Sequence, residues 1–181
     1  AIELNAPVMI SASALARWKD DGPIPPGYEF TPIELAMRAK SGDTTPPTQA
    51  QKRRRVRLWD GWNLSALDRV EPLGMEIHCD SAGFVAMALK GGYDWTAEQY
   101  IDGLAVHPAI TRVSAMDLCV EVEVAHSRDE VRERIAKTVN LNRTCARLSR
   151  QAGIASKLMP VIQGQNAEDY IRCFDAISGI V

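Results

Sequence analysis

The chain has little of what commits a sequence to a class at sight. Its four cysteines stand far apart with no CxxC pair, which argues against a zinc ribbon and against a dense disulfide framework. None of its three histidines pairs with another at metal-ligand spacing. No apolar run approaches the roughly 18 to 20 residues of a membrane helix, so no membrane partner is expected. The first residues lack the basic-then-apolar order of a secretory signal. A cytosolic (cytoplasmic) protein with reduced thiols is the simplest reading. Excess charge is lacking too: the formal net charge is −2, so any nucleic-acid role must rest on a local patch.

What is present is core-forming material. With 181 residues, 46% hydrophobic and 24% charged, the chain can build a globular domain with a sizeable interior. It begins without Met and stops just after a helical pattern, as a fragment would. Residues 1–58 read as an N-terminal segment of loops and a basic run, and residues 59–181 as a β/α portion. In the first part a short strand is expected at Val8 to Ile10, a brief helix at Ala12 to Trp18 and another at Pro32 to Ala39. Between them Pro and Gly bar regular structure. "QKRRRVR" then gathers Lys52, Arg53, Arg54, Arg55 and Arg57, a cluster able to neutralise phosphates, although such runs are usually a solvated face.

After Trp59 the pattern becomes regular. "MEIHC" reads as a strand, followed by a loop with "GGYD" and a helix opening at Thr96, where Thr96 and Gln99 have capping-box spacing. "TRVSAM" is a second strand, and "VEVEV" alternates with period two, which puts Glu121 and Glu123 on a solvated strand face. Ser127 and Glu130 suggest a second capping box, opening a helix with Val131, Ile135, Val139, Cys145, Leu148 and Ala152 on one face and Gly153 as its stop. "KLMPVI" is a third strand, and Asn166 caps a last helix through Ile171 and Phe174.

Strands alternating with helices imply parallel pairing, in an open doubly wound sheet or a (β/α)8 barrel, with ligands at the strand C-terminal ends. Asp80, Asp117 and Gln163 close the three strands, so three polar groups would converge on one face. Burying an ionised carboxylate costs several kcal/mol unless it is paired or hydrogen-bonded, so an acid in this position is either capping a turn or working. For Asp80 the plain alternative is a cap on the amides of Ala82 or Gly83. For Asp117 it is a surface acid, for Gln163 a turn residue and for Phe84 a core aromatic.

These stretches resemble the tRNA-guanine transglycosylase superfamily, most closely its branch of deazapurine-in-DNA modification proteins. "DSAGF" is similar to the family's Asp-Ser-Gly-Gly-aromatic segment, "MDLC" to its Asp-x-Cys strand end and "PVIQG" to its Val-Gln-Gly strand end. The likeness runs from about Leu73 onward. It implies a (β/α)8 TIM barrel of which only the N-terminal part is here. The implied activity is a base exchange that replaces guanine in a nucleic acid by a 7-deazaguanine such as 7-cyano-7-deazaguanine, through a covalent double displacement. On this likeness Asp80 is the general acid/base, Phe84 stacks on the base, Asp117 and Gln163 read its Watson–Crick edge, and Ser81, Cys119 and Gly164 complete the pocket.

Ala82 and Val85 stand where the family has Gly and Gln, which favours DNA over tRNA as polymer. The family's nucleophilic Asp and its zinc ligands lie further downstream, so a structural zinc is expected there and no cofactor in this segment. Asp175, in a helix, is a poor nucleophile candidate. The expected partners are DNA or tRNA and the 7-deazaguanine base, with a homodimer left open. Two other readings stand beside this one. One is a base- or nucleic-acid-binding module without the nucleophile. The other is an unrelated β/α enzyme using Asp80 and Asp117 as an acid/base pair on a small molecule.

Overall fold

A computed structural model describes residues 7–20, 32–46 and 57–180. Lys52, Arg53, Arg54 and Arg55 of the basic run lie outside the described residues. A four-stranded parallel sheet is built from β1 (Val8–Ser11), β4 (Ile77–Asp80), β5 (Ile110–Ser114) and β6 (Leu158–Met159), in that order across the sheet. Between them run a short helix α1 (Ala12–Leu15), strand β2 (Ala16–Asp20), α2 (Pro32–Ser41), β3 (Arg57–Trp62) and α3 (Ser65–Val70). Next come α4 (Gly83–Lys90), α5 (Ala97–Tyr100, continued by a wider turn over Ile101–Ala105), α6 (Arg128–Gln151) and α7 (Ala167–Ile177). The protein is thus α/β with a parallel sheet, as expected.

The core forms where the period-two burial of the central strands meets the helices. Ile77 and Cys79 of β4 and Ile110 and Val113 of β5 pack with Tyr100, Ile101 and Leu104 of α5 and with Cys145 and Leu148 of α6. All four cysteines are free and buried.

Three expectations need correction. The helix from Ala12 ends at Leu15, and Ala16–Asp20 turns extended because it pairs antiparallel with β3. This ribbon brings Trp18, Trp59 and Trp62 against Trp95, with Trp62 and Trp95 edge to face at 5.0 Å. Gly103 allows the dock: a Cβ there would lie 2.9 Å from the Trp62 indole nitrogen, which itself donates to the Gln99 carbonyl. "VEVEV" is not a strand, since residues 115–121 have no ladder partner and 122–124 form a turn, with Val120 and Val124 buried and Val122 exposed. The Ser127–Glu130 box is half made. Ser127 Oγ accepts from the Glu130 N–H, but the Glu130 carboxylate accepts from His126 N, one residue before the cap.

Other local expectations hold. Thr96 and Gln99 form the full capping box, Gly153 takes a left-handed φ of 71° just past α6, and Asn166 caps α7. Helix α4 is not legible in the sequence because "GFVAMALK" is short and almost wholly apolar, and such a run cannot be told from a buried strand by periodicity. It ends at Gly91, φ 73°, with the Gly92 N–H bonded to the Ala86 carbonyl.

Candidate functional site

The site grows from the C-terminal ends of the parallel strands. Asp80 is the last residue of β4, and its Oδ2 accepts from the Ala82 N–H at 2.9 Å, so the capping bond is made. That bond stabilises a sharp exit from the strand. Ala82 sits at φ 69°, a left-handed conformation that a Cβ disfavours and that the Gly of the resembled motif would adopt freely. Gly83 then opens α4 against Asp117: a Cβ at Gly83 would lie 2.6 Å from Asp117 Oδ1 and 2.9 Å from its carbonyl oxygen. The glycine of "DSAGF" is therefore dictated by a residue 34 positions later.

Asp117 is the centre of the cluster and is buried, 6% exposed. The fully buried Ser81 donates from Oγ to Asp117 Oδ1 at 2.8 Å, and Gln163 Nε2 donates to Oδ2 at 2.6 Å. Burial pushes the carboxyl above its ordinary range. The bonds from Ser81 and Gln163 pull the other way, while the negative charges of Asp80 and Glu121 add to the rise. Asp117 and Gln163 are not strand ends. β5 stops at Ser114 and β6 at Met159, so both residues lie in irregular backbone beyond the sheet. Pro160, without an N–H, follows β6 directly.

Irregular buried backbone must find side-chain partners, and this segment finds several that the sequence reading missed. The Tyr93 hydroxyl donates to the Asp117 carbonyl at 2.9 Å and accepts from the Asp117 N–H at 3.2 Å. It also lies 2.8 Å from Ser81 Oγ. Its phenol is pushed up by burial and by the Asp117 charge. Thr138 Oγ1 accepts from Leu118 N at 2.9 Å, Arg134 donates to the Cys119 carbonyl at 3.0 Å, and Gln165 Nε2 donates to the carbonyls of Val120 and Ala125. Polar residues on the inward side of α6 were the available signal, and Thr138 is fully buried.

The other candidates divide. Gly164 is buried where a Cβ would meet Tyr170 N at 2.7 Å, so it lets the chain pass close under α7. Cys119 is buried with Ala88 and Val124, its thiol 3.9 Å from the Gly83 carbonyl and pushed up by burial. Phe84, in the first turn of α4, is 39% exposed, large and available for stacking. Arg57 is exposed on β3, and its carbonyl accepts from Lys90 Nζ. A groove of about 400 Å³ adjoins the cluster, lined by Tyr93, Trp95, Met116, Leu118 and residues of α6. Among the described residues no group of three or more His, Cys, Asp or Glu could hold a metal ion.

No protein-family model matches the sequence, and no curated protein matches it either.

Proposed function

We propose that the chain is part of a base-exchange transglycosylase in which Asp117 reads a guanine-type base. The observation that carries this is the meeting of Ser81, Asp117 and Gln163, from three successive β/α units, in one hydrogen-bonded cluster beyond the C-terminal ends of a parallel sheet. A carboxylate accepts from the N1–H and exocyclic amine of guanine, and an amide can donate to O6. Phe84 supplies a face for stacking. Asp80 serves as general acid/base: it protonates departing guanine while a carboxylate attacks the anomeric carbon, then takes the N9 proton of the incoming 7-deazaguanine as that nitrogen displaces the carboxylate. DNA is favoured over tRNA as the polymer.

The same reading takes the sheet as the opening half of a (β/α)8 barrel. Its strands run in chain order without the reversal of a doubly wound sheet. Beside β6, Ile162 and the α7 residues Tyr170, Ile171 and Phe174 are exposed, an apolar surface suited to a further β/α unit.

One observation favours the alternative of a binding module: Asp175 lies on an exposed part of α7 and brings no nucleophile to the cluster. The discriminating experiment expresses the complete reading frame that contains this segment where 7-deazaguanines are made, then digests DNA and tRNA separately to nucleosides for mass spectrometry. A deazaguanine deoxynucleoside supports the enzyme acting on DNA. Its presence only in tRNA reverses the polymer, and its absence from both moves the reading to the binding module.

A further inference from the structure

We infer that Tyr93 is the positioning residue of the base-reading site, fixing Asp117 so that Oδ2, held by Gln163 when no base is bound, is the oxygen offered to the ligand. This rests on the reading of Asp117 proposed above.

Asp117 stands three residues beyond the end of β5, so no ladder fixes its backbone. The Tyr93 hydroxyl does so instead, touching both the N–H and the carbonyl of Asp117. It has one proton to give. With the Asp117 amide donating to it, its own proton goes to the Asp117 carbonyl or to Ser81 Oγ. Ser81 in turn has one proton, and the oxygen it meets is Oδ1 at 2.8 Å, which also lies 3.5 Å from Tyr93.

Oδ1 is thereby committed to the protein, and Gly83 packs against the same oxygen. Oδ2 has a different kind of partner. Gln163 comes from an irregular segment and is half-buried, and its side chain has rotatable bonds that can move the amide aside. A base entering between the two takes Oδ2 from Gln163 and leaves Gln163 to meet another edge atom. Oδ1 already accepts from Ser81 and is walled by Gly83, so the oxygen whose partner can move is Oδ2. Specificity then resides in the fixed direction of one oxygen, set by a tyrosine whose hydroxyl holds the Asp117 backbone rather than that oxygen.

The groups facing Asp117 are Ser81, Tyr93, Gln163, Asp80, Glu121 and Cys119. The Tyr93 hydroxyl reaches the carboxylate through Ser81: it lies 2.8 Å from Ser81 Oγ, whose bond to Oδ1 holds the ionised form down, so removing it loosens that bond and raises the midpoint of titration.

The test compares wild type with Tyr93→Phe and Ser81→Ala. Phe keeps the ring that packs 5.6 Å from Trp95, so the fold is retained, and melting curves verify it. Two readouts are taken: calorimetric affinity for 7-cyano-7-deazaguanine, and the Asp117 carboxyl titration followed by carbon NMR. Tyr93→Phe is expected to weaken base binding about tenfold and move the carboxyl midpoint upward, with the double variant less than additive because both act through Oδ1. An unchanged midpoint in Tyr93→Phe overturns the inference whether or not the base binds. If wild type binds no base, the reading of the site fails, while the midpoint still decides the role of Tyr93. A midpoint that moves with unchanged affinity also overturns the inference, because positioning would then have no consequence for the ligand.

Discussion

Replacing Gly83 by alanine tests the packing on which the site depends. The added methyl would sit 2.6 Å from Asp117 Oδ1, and ordinary contact begins near 3.4 Å, so the carboxylate must retreat by roughly 0.8 Å. Retreat of that size stretches the 2.8 Å bond from Ser81 beyond hydrogen-bond range. Overpacking costs about 1–3 kcal/mol, and a lost bond to a charged group about 1.5–3 kcal/mol. The better helix propensity of alanine returns about 1 kcal/mol. The balance is a loss of about 1.5–5 kcal/mol, read in urea unfolding as a lower midpoint at constant slope. Gly92→Ala is the control, since no atom lies within 4 Å of its added Cβ, and it should stay within about 0.5 kcal/mol of wild type. A loss below about 1 kcal/mol for Gly83→Ala would refute the placement of Asp117 against the first turn of α4.

Other outcomes follow from single contacts. Asp117→Asn should cut base affinity by about a hundredfold in calorimetry, since an amide nitrogen donates where the ligand also donates. The same variant should be compared at two pH values. Asp117 has a folded pKa raised above the unfolded one, so its ionisation costs stability above the folded value and the cost disappears as pH falls toward the unfolded value. Wild type should therefore gain stability relative to Asp117→Asn between neutral and mildly acid pH. Thr138→Val leaves the Leu118 N–H unpaired and should cost about 1–3 kcal/mol in denaturant unfolding while weakening base binding. Arg128→Leu strips the forked partner from buried Asp169, whose carboxyl is held low chiefly by that bond. The melting temperature should fall at neutral pH, and the difference should vanish as acid protonates Asp169. Changing Arg53, Arg54 and Arg55 to Ala should lower nucleic-acid affinity and flatten its salt dependence, as read by titration at several salt concentrations.

The parts of the molecule legible in sequence were those with local causes. Capping residues Thr96, Ser127 and Asn166 each sit where side-chain chemistry opens a helix, and β4 and β5 show their buried alternation directly. What escaped was set by distant partners. Ala16–Asp20 is extended because β3 pairs with it, and "VEVEV" has a strand's period without a neighbour to form a ladder. Asp80, Asp117 and Gln163 were visible as polar residues near strand ends. The reason Asp117 stays in place was not, because it lies in Tyr93, within the stretch read as a loop, and in Thr138, a polar position of the long helix that bonds the neighbouring Leu118 N–H. Hydrogen bonds across 20 or more positions leave no local pattern.

The most direct measurement is calorimetric titration of the chain with 7-cyano-7-deazaguanine, guanine and adenine in parallel. Binding of the two guanine-type bases but not adenine, abolished in Asp117→Asn, is the predicted result. Equal binding of adenine, or no loss of affinity in Asp117→Asn, would contradict it.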